Sequence, residues 1–272
     1  CQGVVVDSYR VPGAALDALR ASGLFVAVID DLARWPFSCH LVINGGAQAQ
    51  GLGYRASAPD TQFLLGTDYI LLRPEFRART PRRPAGVVDH VLVTLGGGAS
   101  TELVDHVLGH LDLVPDAFDV TVIRGPLMVD AARNEGASPS RRTVRVLVDP
   151  PAVHSLMRDA DLAVCGGGQT LYELAAVGTP AVALQLADNQ AESLRAVVAS
   201  GAACLADGTT GRSAGGSVAT VVQTLCAQPD RRAAMSAAGQ RLVDGAGAAR
   251  VARVLAERFA RAVEQPASMS PQ

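Results

Sequence analysis

Unbroken apolar runs alternate with stretches of helical spacing along this chain, and that alternation restricts the folds open to it more than any other feature. Runs rich in Val, Ile and Leu lie at 4–6, 25–29, 41–43, 63–65, 90–95, 120–123, 143–148, 162–165, 181–184 and 203–205. A strand whose successive side chains are all apolar has both faces covered, as in a parallel sheet sandwiched by helices. Segments at 12–22, 100–111, 151–159, 170–177 and 190–200 place apolar residues at helical spacing, the first ending at Gly23. The expected class is α/β, built from doubly wound parallel sheets.

The alternation breaks once. "RPEFRARTPRRPAG", from Arg73 to Gly86, carries three prolines and five arginines and predicts a solvated connection. The expected division is a partial first Rossmann-like domain at 1–80, a linker at 81–86, a second Rossmann-like domain at 87–264 and a disordered tail at 265–272. The first half offers about four strands, fewer than a complete doubly wound domain, so it is expected to be truncated. The last helix begins near Gly247 and carries Val251, Val254, Leu255 and Phe259 on one face.

Composition removes several classes of function. No apolar run approaches the roughly 20 residues of a membrane-spanning helix. A formal charge of -2 with 4% aromatic residues gives little support to a nucleic-acid surface. All 24 basic residues are arginine, which excludes both the phosphate-binding lysine of P-loop enzymes and Schiff-base chemistry. Cys1, Cys39, Cys165, Cys204 and Cys226 are widely spaced, odd in number and mostly set in apolar runs; they predict reduced core thiols and a cytoplasmic location. No cofactor is called for, and the oligomeric state is left open.

The chemistry concentrates in "DLAVCGGGQTLYELAAVGTP". A buried strand ends at Cys165, Gly166, Gly167 and Gly168 form a turn without side chains, and a helix opens at about Gln169 or Thr170. First-turn amides and the positive end of the helix dipole favour a phosphate or diphosphate. The structural alternative is a capping box between Thr170 and Glu173. A second glycine triplet, Gly96, Gly97 and Gly98, follows the 90–95 run and precedes a helix capped near Ser100, so two such turns are expected along one sheet edge. Asp188, Asn189 and Gln190 follow the next strand and reach the same edge, with helix capping as the alternative.

Weaker signals have structural explanations. His106 and His110 share a helix face, but "HVLGH" lacks the glutamate of a zinc-hydrolase helix, and no metal site is expected. "GLGYRA" fits a dinucleotide fingerprint only formally. "PSRR", ending at Arg142, reads as a solvated loop. Asp30 and Asp31 follow a strand end, where they either face a ligand or cap a helix.

Gly-Gly-x-Thr-x-x-Glu, then Gly178-Thr179-Pro180, a strand and "ADNQ" resemble the nucleotide-binding half of glycosyltransferases of the two-Rossmann GT-B architecture. The fuller resemblance is to the UDP-sugar hydrolase of pseudaminic acid biosynthesis and its spore-coat polysaccharide relatives, through "VVVDSYRV", "VAVIDDLARWPFSCHLVIN", "LLGTDYILLRPEF" and "DGAGAARVA". It implies a cleft between the domains, Glu173 on the ribose hydroxyls, and the glycine turn with Thr170 on the diphosphate. Asp188, Asn189 and Gln190 would lie near diphosphate or sugar, and Tyr9 would line the sugar pocket. The implied activity is hydrolysis of a UDP-sugar at the anomeric C–O bond, releasing UDP and free sugar for bacterial surface-glycan or nonulosonic-acid synthesis. The alternatives are a UDP-dependent glycosyltransferase and a catalytically impaired nucleotide-sugar-binding protein. That family's Gly-x-Gly-His-x-x-Arg loop, with its catalytic histidine, has no counterpart in these residues, and "GGGAS" stands where the family carries a Gly-Gly-x-Asp-like ending.

Overall fold

A computed structural model describes residues 2–77, 86–97, 99–125, 142–207 and 216–264. The chain divides into two compact units, 1–74 with 245–272, and 75–244.

The first unit holds a four-stranded sheet ordered β1-β2-β3-β4: β1 (Gly3–Asp7), β2 (Phe25–Ile29), β3 (Leu41–Asn44) and β4 (Gln62–Leu65). All its pairings are parallel. Alternation along β2 explains its two-sided burial. Val26 and Val28 face a cluster with Leu16 of helix α1 (Gly13–Ala21), Phe37, Cys39 and Val42, while Phe25 and Ala27 face a second cluster with Leu41, Ile43, Leu64 and Val251. At one edge of the sheet lies β1, where Val5 is 53% exposed.

The second unit holds a six-stranded sheet ordered β10-β9-β8-β5-β6-β7. Its strands are β5 (His90–Thr94), β6 (Asp119–Arg124), β7 (Val144–Val148), β8 (Leu162–Gly166), β9 (Ala181–Leu184) and β10 (Ala203–Ala206), again all parallel. Helices α2 (Thr101–Asp112), α3 (Val153–Asp159), α4 (Gln169–Val177), α5 (Ala191–Ala199), α6 (Val218–Cys226) and α7 (Pro229–Leu242) accompany them. Valines and leucines of β5, β6, β8 and β9 share one core with Val104, Val107, Leu108 and Leu111 of α2 and Val218, Val222 and Leu225 of α6. Arg232 is 0% exposed, and its guanidinium donates to the carbonyls of Leu225 and Cys226 at the end of α6 and of Gly86. Leu225 and Cys226 lie in the last turn of α6, so the buried cation stands at the negative end of that helix's dipole.

Three expectations need correction. Helix α8 (Gly247–Glu264) belongs to the first unit and not to the second, because Val251, Val254, Leu255 and Phe259 pack on Phe25, Leu41 and Leu64 of the first sheet. The Arg73–Gly86 stretch is not a solvated connection at its start: Phe76 is buried edge-on against the His154 ring, and the units divide after Pro74. Arg142, expected in a solvated loop, has a side chain only 6% exposed. Its guanidinium bonds the carbonyls of Leu111, Val114 and Asp116 and stacks on the Phe118 ring, and burial lowers its pKa. Residues 81–85 of the expected linker, the 265–272 tail and Gly98 lie outside the described residues.

Candidate functional site

The strand order of the second unit determines where a ligand fits. From β5 the chain proceeds outward through β6 and β7, then crosses back to β8 on the other side of β5 and proceeds outward through β9 and β10. The reversal lies between β5 and β8. Open α/β sheets bind ligands outside the carboxyl ends of the strands at such a point, where the loops part in opposite directions.

Both glycine turns flank that reversal. Gly166 ends β8, and a Cβ there would stand 3.1 Å from the Leu95 carbonyl oxygen and 2.8 Å from Cδ1 of Leu186, so only glycine fits unshifted. Gly96 has φ +92, in the left-handed region that favours glycine. The chain approaches itself closely beside it: a Cβ on Gly125, just past β6, would stand 2.7 Å from Cα of Gly97. Ser100 caps α2, its hydroxyl accepting from the Leu103 amide as expected.

Gly168 is the N-cap of α4 and supplies no side-chain cap, so the first turn begins at Gln169. Thr170 is therefore already inside the helix, and the capping box between Thr170 and Glu173 does not form, because a box needs its hydroxyl residue at the N-cap. Gln169 is exposed, Thr170 and Glu173 are half-buried, and Gly166 and Gly167 are buried at the foot of the turn. The sheet edge thus presents the N-terminus of a nine-residue helix whose N-cap residue supplies no side-chain cap.

The loop after β9 divides its three polar residues between two roles. Asp188 and Asn189 are exposed in a 3-10 turn, whereas Gln190 turns inward. Its Oε1 accepts from the Leu186 amide at 3.0 Å and lies 3.4 Å from the Cβ position of Gly167. None of the three gives α5 a side-chain cap. Tyr172 of α4 and Ser193 of α5 share a buried hydrogen bond that ties the two helices behind these loops.

In the first unit, Tyr9 lies past β1 and Asp31 past β2, and the Tyr9 hydroxyl donates to Oδ2 of Asp31 at 2.7 Å. Asp30 caps no helix. Its Oδ1 accepts from the amides of Leu32 and Ala33 and from the Tyr54 hydroxyl, closing a turn in the loop. Tyr54, from the "GLGYRA" segment, packs against Phe37 and Phe63. The rings of His106 and His110 meet edge-on at 4.7 Å; burial, then the neighbouring His106, lowers the His110 pKa. Among the described residues no group of three or more His, Cys, Asp or Glu is placed to hold a metal ion.

Solved structures share this arrangement of strands and helices. MurG of Acinetobacter baumannii superposes with a TM-score of 0.64 at 18% identity, over 94% of this chain and 74% of that one. The spinosyn rhamnosyltransferase SpnG, in complex with thymidine diphosphate, gives 0.55 at 16% identity, over 94% and 73%. The fold is that of the GT-B glycosyltransferases. Beyond this GT-B likeness, a relative in sequence is the spore coat polysaccharide biosynthesis protein SpsG of Bacillus subtilis (strain 168), 27% identical over 213 residues. That match takes in 74% of this chain and 60% of SpsG, so the chain spans less than two thirds of its relative. No family profile matches. No described helix of this chain is long and apolar enough to cross a membrane.

Proposed function

We propose that the second unit binds the nucleoside diphosphate of a UDP-sugar, and that the protein serves polysaccharide biosynthesis by transferring that sugar to an acceptor hydroxyl. The observation that carries this reading is the pair of glycine turns on either side of the strand-order reversal, one leading into the N-terminus of α4. A helix N-terminus carries about half a positive charge and amides aimed outward. As the anomeric C–O bond breaks, negative charge grows on the diphosphate, and donors fixed beforehand stabilise it without reorganising.

In this reading the amides after Gly168, together with the Thr170 hydroxyl, hold the diphosphate of the donor. Glu173, one turn further along α4, takes the ribose hydroxyls, and Gly96 and Gly97 leave room for the ligand's approach. Asp188 and Asn189 face the sugar or diphosphate, while Gln190 shapes the turn from below. Uracil as the base comes from the family resemblance alone.

Transfer is preferred to hydrolysis because the fold is shared with a sugar transferase such as SpnG. Hydrolysis remains the second reading, supported by the resemblance of "VVVDSYRV", "VAVIDDLARWPFSCHLVIN", "LLGTDYILLRPEF" and "DGAGAARVA" to the UDP-sugar hydrolase family. Incubation with a panel of UDP-sugars, with and without a polyhydroxylated acceptor, separates them. UDP release that requires acceptor supports transfer, and equal release of free sugar without acceptor supports hydrolysis. A chain that neither binds UDP nor releases it contradicts both.

A further inference from the structure

We propose that His40 is an acid-sensitive latch on the second half of helix α8, holding it to the first sheet while the imidazole is neutral and releasing it once the ring is protonated. The latch lies wholly within the first unit and uses no residue of the proposed UDP site. Val26 is 0% exposed, and its amide donates to Nδ1 of His40 at 3.0 Å, so the neutral ring carries its proton on Nε2. The ring stacks on Phe25 at 4.9 Å, and Phe25 meets Phe259 of α8 edge-on at 6.0 Å. The backbone completes the hold: the Arg258 guanidinium of α8 donates to the carbonyls of His40 at 3.2 Å and Asp60 at 2.6 Å.

Protonation breaks this arrangement twice. An imidazolium carries a proton on both nitrogens, so Nδ1 stops accepting and meets the Val26 amide donor to donor. A buried donor left without an acceptor is disfavoured, and the ring turns away from Val26 and off the face of Phe25. Charge acts in the same direction. Arg20 of α1 and Arg258 of α8 face the ring together with Asp60, whose carboxylate already pairs with Arg20. The adjoining Cys39 thiol, pushed up to about 12 by burial, stays neutral. A third cation thus joins Arg20 and Arg258, with Asp60 as the countercharge. Burial, then Arg20, holds the His40 pKa below its ordinary 6.5, so the latch stays closed at neutral pH and opens as the pH falls towards that lowered value.

The first half of α8 has attachments of its own. Arg250 donates to the Asp68 carbonyl at 3.0 Å, and Val251 is buried among Leu41, Ile43 and Leu64. Release therefore divides the helix: residues up to Val251 stay seated, while Leu255, Arg258 and Phe259 lift away and uncover Phe25, which is otherwise 5% exposed.

The test is amide hydrogen exchange of the full chain, read by NMR from about pH 7.5 to about pH 5 and corrected for the intrinsic pH dependence of exchange. Amides of residues 255–261 are expected to lose protection as the pH falls, by at most about ten-fold for each unit by which the His40 midpoint lies below 6.5. Their midpoint should match that of the His40 ring resonances, while amides of β3 and β4 keep their protection. His40→Asn places an amide oxygen near the position of Nδ1 and does not titrate, so its α8 protection is expected to be flat with pH. Arg258→Gln is expected to show the loss already at neutral pH. An equal acid loss in His40→Asn, full protection of α8 in Arg258→Gln, or wild-type protection that survives titration of the ring overturns the inference. Loss across β3 and β4 together with α8 also overturns it, since the whole unit then unfolds. Should His40→Asn fail to fold, the two wild-type midpoints decide: coincidence supports the latch, and separation by more than about one pH unit overturns it.

Discussion

The amide of Leu186 donates to the side-chain oxygen of Gln190 at 3.0 Å, closing the loop after β9 on itself, and that oxygen lies 3.4 Å from the Cβ position of Gly167 in the turn after β8. Replacing Gln190 by Ala removes the acceptor from a half-buried amide, and the expected loss of stability is about 1–2 kcal/mol. The same change loosens Gly167 and Gly168, so UDP affinity is expected to fall several-fold. Asn189→Ala, at an exposed neighbour, leaves stability within about 0.5 kcal/mol. Urea denaturation followed by UDP titration checks both, and equal behaviour of the two variants contradicts the bracing role of Gln190.

Two glycines give opposite signs. At Gly166 an added methyl meets the Leu95 carbonyl and the Leu186 side chain, so Gly166→Ala is expected to cost about 1–3 kcal/mol and weaken UDP binding. Gly109, within α2, has nothing within 4 Å of its Cβ position, and Gly109→Ala is expected to gain about 0.5–1 kcal/mol. Paired thermal melts read both changes.

Stability of the first unit is expected to fall in mild acid. Burial, then the nearby Arg20 cation, holds the His40 pKa below its ordinary 6.5, and Nδ1 of the neutral ring accepts from the Val26 amide. Between that depressed pKa and 6.5 the unfolded chain binds a proton that the folded chain does not, so stability rises with pH through this window. It is complete above the unfolded value and is lost as pH drops towards the folded one. Denaturation midpoints at neutral and mildly acid pH should converge for His40→Gln more than for wild type. An equal acid loss in both contradicts the assignment.

How much of this was legible in the residues follows from the range of the interactions. Strands β2 and β9 lie within a residue of their apolar runs, because burial of both sheet faces writes itself into consecutive positions. The start of α4 after the glycines, and the Ser100 cap of α2, were legible because capping is local chemistry. Helix α8 was legible as an amphipathic helix but not in its partner: nothing within 247–264 records that Phe25, Leu41 and Leu64 lie beneath it. Arg142 failed for the same reason, its acceptors standing some 26 to 31 residues away. Within the site, the glycines, Thr170 and Glu173 were visible as a motif. The bracing role of Gln190 was not, because it depends on how two loops meet across neighbouring strands.

Glu173 is assigned to the ribose and Glu102, an exposed residue in the first turn of α2, is not. Glu173→Ala is expected to weaken UDP about ten-fold or more, the contribution of a charge-assisted hydrogen bond, and Glu102→Ala to leave it unchanged. Calorimetric titration of UDP into the three proteins decides, and one common affinity removes the ribose assignment.

The claim on which the account turns is that the amides opening α4 hold a diphosphate, and it is tested most directly by an amide-resolved NMR titration. Addition of UDP is expected to shift the backbone resonances of Gly168, Gln169 and Thr170 at saturation, and uridine without phosphates to leave them near their starting positions. Saturable UDP binding that leaves those three amides unmoved, or shifts of equal size with uridine, would contradict it.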